Sequence, residues 1–276
     1  MKIISWNIRH RIDIWQSMAD LNADVALLQE ACERPMELAA RLDHEPDPWC
    51  TEGTAKRQWR TSVVGIRRGI RIERMTPRPL AEASPGDLAI SRKGTFSVAR
   101  VENPTTSETI TLISMYSVWE NRHRDAEGDK IFADASAHRL ISDISSLVAR
   151  ERGHRIVAAG DLNCLYGYGE QGRQYWKARY ATIFARFAAI GLPFVGPQHP
   201  NGRQASPWPK ELPGESRNVP TYYTAQQKMP ERATRQLDFV FASPDLASRV
   251  DVRAMNEVSE WGPSDHCRIE ITIRDA

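Results

Sequence analysis

Residues 155–163 read RIVAAGDLN, an apolar run that leads into Asp161 and, two positions later, Asn163. A short run of β-branched and small apolar residues is typical of a buried strand. Polar side chains directly after such a strand lie at the edge of a sheet, and an Asx turn is their simplest interpretation. The alternative is that Asp161 and Asn163 belong to a site at that edge.

Other strand-like segments also carry polar side chains, at or beside their ends or, for Asp238, inside the strand. These are Asn7 in ISWNI (4–8), Glu30 in VALLQE (25–30), Tyr116 in TLISMY (111–116), Asp238 in QLDFVF (236–241), and Asp265 and His266 in PSDHC (263–267). Each signal alone is weak, because Asn forms turns and a carboxylate after a strand is most often a helix cap or an exposed loop charge. The order of the set along the chain makes it specific.

Asp238 is the acid that most needs a partner. It lies inside an otherwise apolar strand, and a buried carboxylate costs several kcal/mol unless it is paired. His266 precedes the last strand and is the natural partner. We therefore expect Asp238 and His266 to form a pair.

Composition excludes several classes of protein. The chain has 276 residues, of which 41% are hydrophobic and 26% charged, close to globular averages. No run approaches the ~20 apolar residues of a membrane helix. The net charge of +2 means that affinity for a polyanion must come from local patches. Four dispersed cysteines and no apparent secretion signal favour a cytoplasmic protein.

Periodicity predicts a mixed α/β chain with no break in composition, so we read residues 1–276 as one domain. Strands are predicted at 2–8, 25–29, 61–66, 88–92, 96–101, 110–116, 155–159, 237–242, 250–254 and 267–273. Helices are predicted at 12–22, 131–150 and 176–190. Many strands and few helices favour two packed sheets with helices outside them.

The ordered set of strand-end Asn, strand-end Glu, GD-x-N, in-strand LD and SDH resembles the endonuclease/exonuclease/phosphatase superfamily. Its members include deoxyribonuclease I, exonuclease III-type nucleases, neutral sphingomyelinases and inositol polyphosphate 5-phosphatases. The matching positions run from Asn7 to His266 and so cover nearly the whole chain. The resemblance implies an α/β fold, a four-layer αββα sandwich with two mixed sheets face to face and the active site at one end.

The resemblance also implies a metal site. Glu30 would be the principal ligand, with Asn7 and Asp265 close to the ion. Hard oxygen ligands of this kind select Mg²⁺ or Mn²⁺ over softer metals. We therefore expect Mg²⁺ or Mn²⁺ as the cofactor.

The remaining roles follow from the same resemblance. Asp161 would orient or deprotonate the attacking water, and Asn163 would hold the phosphate. His266, with its tautomer fixed by Asp238, would donate to the phosphoryl oxygens or act as the base. The sequence leaves open whether Asp161 or His266 is the base.

Tyr116 bears on the substrate. Phospholipid and inositol phosphatases, like deoxyribonuclease I, usually have His at this position, whereas exonuclease III-type nucleases usually have Tyr. Nucleic acid is therefore the expected partner. We favour DNA with little sequence specificity, and the sequence leaves open the choice between DNA and RNA. Other features of the exonuclease III branch are replaced by Ile8-Arg9, Cys32 and Val118-Trp119-Glu120, which puts specificity for abasic sites in doubt.

Aromatic and cationic residues near the predicted site form a candidate substrate-binding set. The set comprises Trp119, Arg122, Tyr166, Tyr168, Arg173 and Trp176. Aromatic faces stack on bases, and arginines hold the backbone without reading sequence. The competing interpretation is that Trp176 belongs to the core stripe of its helix and that the tyrosines fill a loop.

Two other functions remain open. The first is a phosphomonoesterase or a lipid or inositol phosphodiesterase on the same fold, because the catalytic set does not name the leaving group. Neither an exposed hydrophobic loop nor a basic amphipathic helix is evident to support a membrane substrate. The second is a catalytically inactive binding scaffold, which the presence of every key residue disfavours.

Overall fold

A computed structural model of the chain describes residues 1–44, 52–54, 57–118, 134–148 and 155–275. The strands in chain order are β1 Lys2–Asn7, β2 Val25–Gln29, β3 Glu52–Thr54, β4 Arg57–Trp59, β5 Ser62–Gly65, β6 Ile72–Met75, β7 Arg78–Pro79, β8 Ala89–Ile90, β9 Phe96–Glu102, β10 Thr109–Tyr116, β11 Ile156–Asp161, β12 Phe194–Gly196, β13 Asp238–Ala242, β14 Val250–Met255 and β15 Arg268–Ile273. The α-helices are α1 Asp13–Ala19, α2 Ala135–Val148, α3 Gln174–Ala189 and α4 Pro244–Ala247.

Two mixed sheets form the centre of the molecule. The first has the strand order β14-β15-β1-β2-β5, and the second has the order β12-β13-β11-β10-β9-β6. The β1–β2 and β10–β11 pairs are parallel, and the other pairs within these two sheets are antiparallel. The short strand β8 pairs with β7 outside both sheets, so the predicted strand at 88–92 adds nothing to them.

The inward faces of the two sheets pack against each other. Ile3 and Leu27 of the first sheet and Val157 and Val240 of the second belong to one buried cluster. These residues alternate with side chains that point to the outer faces, as the two-residue period of a strand requires. Burial of this apolar surface holds the sheets together.

Helices cover the outer face of each sheet. Trp15 of α1 packs with Trp6 on the first sheet. On the second sheet, α2 and α3 share one buried cluster with the strands, and the Phe187 ring stacks on Phe241 at 4.0 Å between centroids. This arrangement confirms the predicted four-layer sandwich, while the extent of the domain stays a prediction. Among the described residues, no helix combines the length and apolar content needed to cross a bilayer.

The sheet directions bring the polar strand ends to one edge of the sandwich. Parallel pairing puts Asn7 opposite Gln29 and Tyr116 opposite Asp161. Because β13 runs antiparallel to β11, its first residue, Asp238, lies opposite Asp161. β15 is likewise antiparallel to β1, so the segment that precedes it reaches the same edge.

Candidate active site

Glu30 joins strand ends from both sheets. It directly follows β2 with φ +45°, a left-handed conformation that is uncommon for residues other than glycine. Its Oε1 accepts hydrogen bonds from Asn7 Nδ2 at 3.2 Å and from the Tyr116 hydroxyl at 3.0 Å. Burial and the neighbouring Glu30 carboxylate raise the pKa of Tyr116 far above its usual value, so the phenol stays protonated and donates.

Asp161 is almost completely buried at this edge, with 1% of its surface exposed. Its Oδ2 accepts a hydrogen bond from Asn7 Nδ2 at 3.0 Å. Burial raises the pKa of Asp161 to about 7, although the nearby His266 acts in the opposite direction. Asn7 therefore bridges the carboxylates of Glu30 and Asp161.

His266 and Asp238 form the expected pair. His266 Nδ1 lies 2.9 Å from Asp238 Oδ2, and the backbone N–H of Asp238 donates to Thr221 Oγ1 at 3.2 Å. The other ring nitrogen, Nε2, lies 3.8 Å from Asp161 Oδ2. Burial lowers the pKa of His266, but the Asp238 and Asp161 carboxylates outweigh it and raise the pKa to about 10. The imidazole is therefore held between two acids.

Asn163 closes a turn over Asp161. Its φ is +46°, and its backbone N–H donates to Asp161 Oδ1 at 2.8 Å, as in an Asx turn. Its Nδ2 donates to the backbone oxygen of Ser117 at 2.7 Å. The structure thus brings Asn163 to the site, with its amide nitrogen bound to the protein. The role in holding a phosphate stays a prediction.

Asp265 lies on a segment that is fastened to β1. Ser264 Oγ donates to the backbone oxygen of Asn7 at 2.7 Å, and Trp6 Nε1 donates to that of His266 at 3.0 Å. The Asp265 carboxylate forms an ion pair with Arg9, whose Nε lies 3.3 Å from Oδ2. Asp265 therefore reaches the same edge as Asn7.

Sequence reasoning missed two residues at this edge. His10 Nε2 lies 3.4 Å from Glu30 Oε2, and its position just after the first predicted strand was a signal that could have found it. The Tyr222 ring lies 4.7 Å from the His266 ring, where an isolated β-bridge joins the two residues. No local pattern marks Tyr222, because its partner is distant in the sequence.

The candidate substrate-binding residues do not form one exposed surface. Tyr168 is only 7% exposed, which leaves little of its ring for a base to stack on, and its role in substrate binding stays a prediction. Tyr166 packs against Phe184 at 4.6 Å between ring centroids, which places it with the core as well. Both tyrosines fit the competing interpretation of a filled loop.

Trp176 and Arg173 lie near the start of α3. The Trp176 ring stacks on Tyr180 at 5.8 Å and packs against the core while remaining partly exposed. Arg173 is exposed at the N-cap of the helix, and its role and that of Trp176 stay predictions. Trp119 and Arg122 lie outside the described residues.

The donor atoms at this edge fit a hard divalent cation. Glu30 and Asp265 have partly exposed carboxylates, and Asn7 adds an amide. The described residues contain no group of three or more His, Cys, Asp and Glu side chains arranged to hold a metal. Mg²⁺ does not require one, because it keeps several waters and commonly takes one or two protein carboxylates. The side chains present are therefore compatible with Mg²⁺.

The sequence matches one family along nearly its whole length. A sequence model described as Endonuclease/Exonuclease/phosphatase family matches residues 4–266. No curated protein matches the chain significantly in sequence.

Solved structures share the fold at low sequence identity. The catalytic domain of APE2 from Xenopus laevis has a TM-score of 0.65 at 15% identity, covering 99% of this chain and 91% of that one. The AP endonuclease LMAP from Leishmania major has a TM-score of 0.63 at 17% identity, covering 100% and 88%. A variant of the 3′ phosphatase NExo from Neisseria, bound to a product DNA hairpin, has a TM-score of 0.59 at 17% identity, covering 99% of each chain.

Proposed function

The chain belongs to the endonuclease/exonuclease/phosphatase family, and we propose that it is a divalent-metal-dependent phosphodiester hydrolase that cuts nucleic acid, with DNA preferred. The observation that supports this most directly is the linked set of site side chains. Asn7 bridges Glu30 and Asp161, and His266 lies between Asp161 and Asp238. Cleaving a phosphodiester needs an aligned water, a proton donor or acceptor and stabilisation of charge on phosphorus.

Asp238 and His266 handle the proton in this proposal. Asp238 Oδ2 accepts a hydrogen bond from Nδ1–H of His266 and so fixes the orientation of the imidazole. Nε2 then faces the Asp161 side of the site. Because the pKa of His266 is raised to about 10, the ring is protonated at neutral pH. It can then donate from Nε2 to the oxygens on which charge develops.

Asp161 is suited to aligning water. Burial raises the pKa of Asp161 from its usual acidic range towards neutrality, which is the range in which a general base works best. Asn7 and the backbone N–H of Asn163 hold its two oxygens in place. Asp161 acts on the water in this account, and His266 on the phosphate.

Glu30, Asp265 and Asn7 would hold the cation. When bound, Mg²⁺ or Mn²⁺ acts as a Lewis acid on the phosphoryl oxygens. The Tyr116 hydroxyl donates a hydrogen bond to Glu30 Oε1 and thereby orients that carboxylate. The ion pair with Arg9 orients the Asp265 carboxylate.

The nucleic-acid substrate is supported by the similar structures, two of which are described as AP endonuclease and 3′ phosphatase with a DNA hairpin. The test is hydrolysis of single-stranded DNA, duplex DNA, RNA and a sphingomyelin analogue with Mg²⁺. Asp161→Asn serves as the control for contaminating nuclease. Cleavage of DNA by the wild type, lost in Asp161→Asn, supports the proposal. Turnover of the sphingomyelin analogue alone would overturn it.

A phosphomonoesterase acting on DNA ends is the second candidate, favoured by the likeness to a structure described as a 3′ phosphatase. An oligonucleotide with a 3′ phosphate distinguishes the two. Release of inorganic phosphate without shortening of the strand indicates a phosphatase, and the appearance of shorter strands indicates a nuclease.

A further inference from the structure

A buried polar contact crosses between the two sheets directly behind the site. Ser114 of β10 donates from Oγ to the backbone oxygen of Leu28 on β2 at 2.7 Å. Gln29, also on β2, donates from Nε2 to Ser114 Oγ at 3.1 Å. Gln29 and Ser114 are both fully buried. The hydroxyl of Ser114 therefore ties the second sheet to the first.

The contact is in register with the site residues. Gln29 directly precedes Glu30, and Ser114 lies two positions before Tyr116 on the same face of its strand. Gln29 Nε2 also lies 3.3 Å from Ser5 Oγ, two positions before Asn7. The polar contact thus involves the strands whose ends meet in the hydrogen bonds of Glu30.

Core stability alone does not account for Gln29. Its Oε1 is buried and has no hydrogen-bond partner, which is costly because the group has lost its water. An apolar side chain of similar volume would avoid that cost, as replacement of buried polar groups often does. The position therefore fits a residue kept for geometry rather than for stability.

We propose that Gln29 and Ser114 are positioning residues, which fix the separation of the sheets so that Glu30 meets Tyr116 and Asn7 within hydrogen-bonding distance. The expected effect on turnover rests on the proposed function, whereas the positioning of Glu30 does not. Small errors in position are sufficient, because a displacement of ~1 Å at a reacting centre can cost ~100-fold in rate. The crossing contact acts through Glu30 and does not touch the substrate.

A second crossing contact provides a matched control. Ser97 Oγ lies 2.9 Å from Thr61 Oγ1 and donates to the backbone oxygen of Thr61 at 2.9 Å. Ser97 is paired with Ser114 in the β9–β10 register, and Thr61 immediately precedes β5. Neither β5 nor β9 carries a candidate site residue. Each lies one strand farther out than β2 and β10, so this contact joins the same two sheets beside the strands that end at Glu30 and Tyr116.

The experiment compares Ser114→Ala with Ser97→Ala. We expect kcat of Ser114→Ala on a DNA substrate to fall ~10–100-fold with little change in KM, as for other residues that orient a ligand side chain. Ser97→Ala should keep kcat within about twofold of the wild type, and Ser114→Thr, which retains the hydroxyl, should recover most of the loss. Equal losses of kcat in the two alanine variants would overturn the proposal. Gln29→Met provides the same test should Ser114→Ala fail to fold.

Crystal structures of the variants give a measurement that does not depend on activity. The separation of Glu30 Oε1 and Tyr116 Oη, 3.0 Å in the wild type, should be kept in Ser97→Ala and lost in Ser114→Ala. An unchanged separation in Ser114→Ala would contradict the positioning role even in an active enzyme. If the wild type hydrolyses no phosphoester, the proposed function fails, while this separation still decides the positioning role.

Discussion

His266 Nδ1 lies 2.9 Å from Asp238 Oδ2, with both side chains almost completely buried at the end of the sandwich. Each group depends on the other, because an unpaired charge in this position would be strongly destabilising. The same contact fixes which ring nitrogen faces Asp161. Catalysis and local stability are therefore coupled in this pair.

Asp238→Ala and His266→Ala should each lower kcat/KM by about 10²–10⁴-fold, the usual range for a general acid or base. Because the two residues act as one unit, the double variant should lose little more than either single variant. The measurement is a double-mutant cycle on kcat/KM. Losses in log kcat/KM that simply add would show that the residues work independently.

Tyr116→Phe removes the hydroxyl that orients Glu30 while keeping the ring. We expect kcat to fall ~10–100-fold, because loss of a residue that hydrogen-bonds to a metal ligand usually has an effect of that size. Tyr180→Phe is the control, because its ring lies in the α2–α3 cluster of the core. Equal activity in Tyr116→Phe and Tyr180→Phe would refute the orienting role.

Arg173→Ala tests whether the start of α3 contacts the nucleic-acid backbone. If it does, binding of a non-cleavable oligonucleotide should weaken, and the slope of log Kd against log salt should change by ~1. Arg71→Ala is the control. Arg71 directly precedes β6 at the end of the sandwich opposite the site, and its side chain is 80% exposed. An unchanged Kd in Arg173→Ala would show that Arg173 does not contact the nucleic acid.

Gly160→Ala should destabilise the fold next to Asp161. A Cβ at Gly160 would overlap the backbone oxygen of Met115 on the neighbouring strand. We expect a loss of about 3 kcal/mol or more in the free energy of unfolding, measured by urea denaturation. Gly69→Ala meets no atom within 4 Å and has φ +79°, so it should lose only ~1–2 kcal/mol from left-handed strain. Equal losses would argue against the close approach.

Stability should fall in acid partly through Glu108. Hydrogen bonds from Arg249, opposed by burial, lower the pKa of Glu108. A carboxyl whose pKa is lower in the folded state stabilises the protein above its unfolded pKa of ~4.3 and loses that contribution as pH falls through the folded pKa.

Glu108→Gln should therefore lower Tm by ~2–4 °C near pH 7, corresponding to about 1 kcal/mol, with the difference shrinking below pH ~4. Thermal melts across pH provide the measurement. Glu102→Gln, which breaks the exposed pair with Arg71, should change Tm by less than ~1 °C. A Tm difference for Glu108→Gln that persists in strong acid would contradict the role of ionisation.

Much of the site was predictable because its residues follow apolar runs in the sequence. Asn7, Glu30 and Asp161 each end or follow a strand, and the sheet geometry then brings them together. The pairing of Asp238 with His266 followed from the cost of a buried acid. The strands on which the site lies were therefore found.

Other features depend on contacts that no local pattern reveals. β6 is a four-residue edge strand with Glu73 and Arg74 at its centre, and β12 has three residues, so neither shows a strand period. The loop containing Tyr168 turns its ring into the core cluster that the second sheet shares with α2 and α3, and a sequence pattern does not distinguish that from an exposed ring. The contact between Gln29 and Ser114 joins residues whose neighbours in sequence are mostly apolar or small.

Cleavage of a labelled DNA strand in the presence and absence of Mg²⁺ tests the central claim most directly. The wild type should cut the strand with Mg²⁺, lose the activity in excess EDTA and regain it when Mg²⁺ is restored, while Glu30→Gln should be at least ~10²-fold slower at equal Tm. Cleavage that continues unchanged in excess EDTA, or at the wild-type rate in Glu30→Gln, would contradict the account.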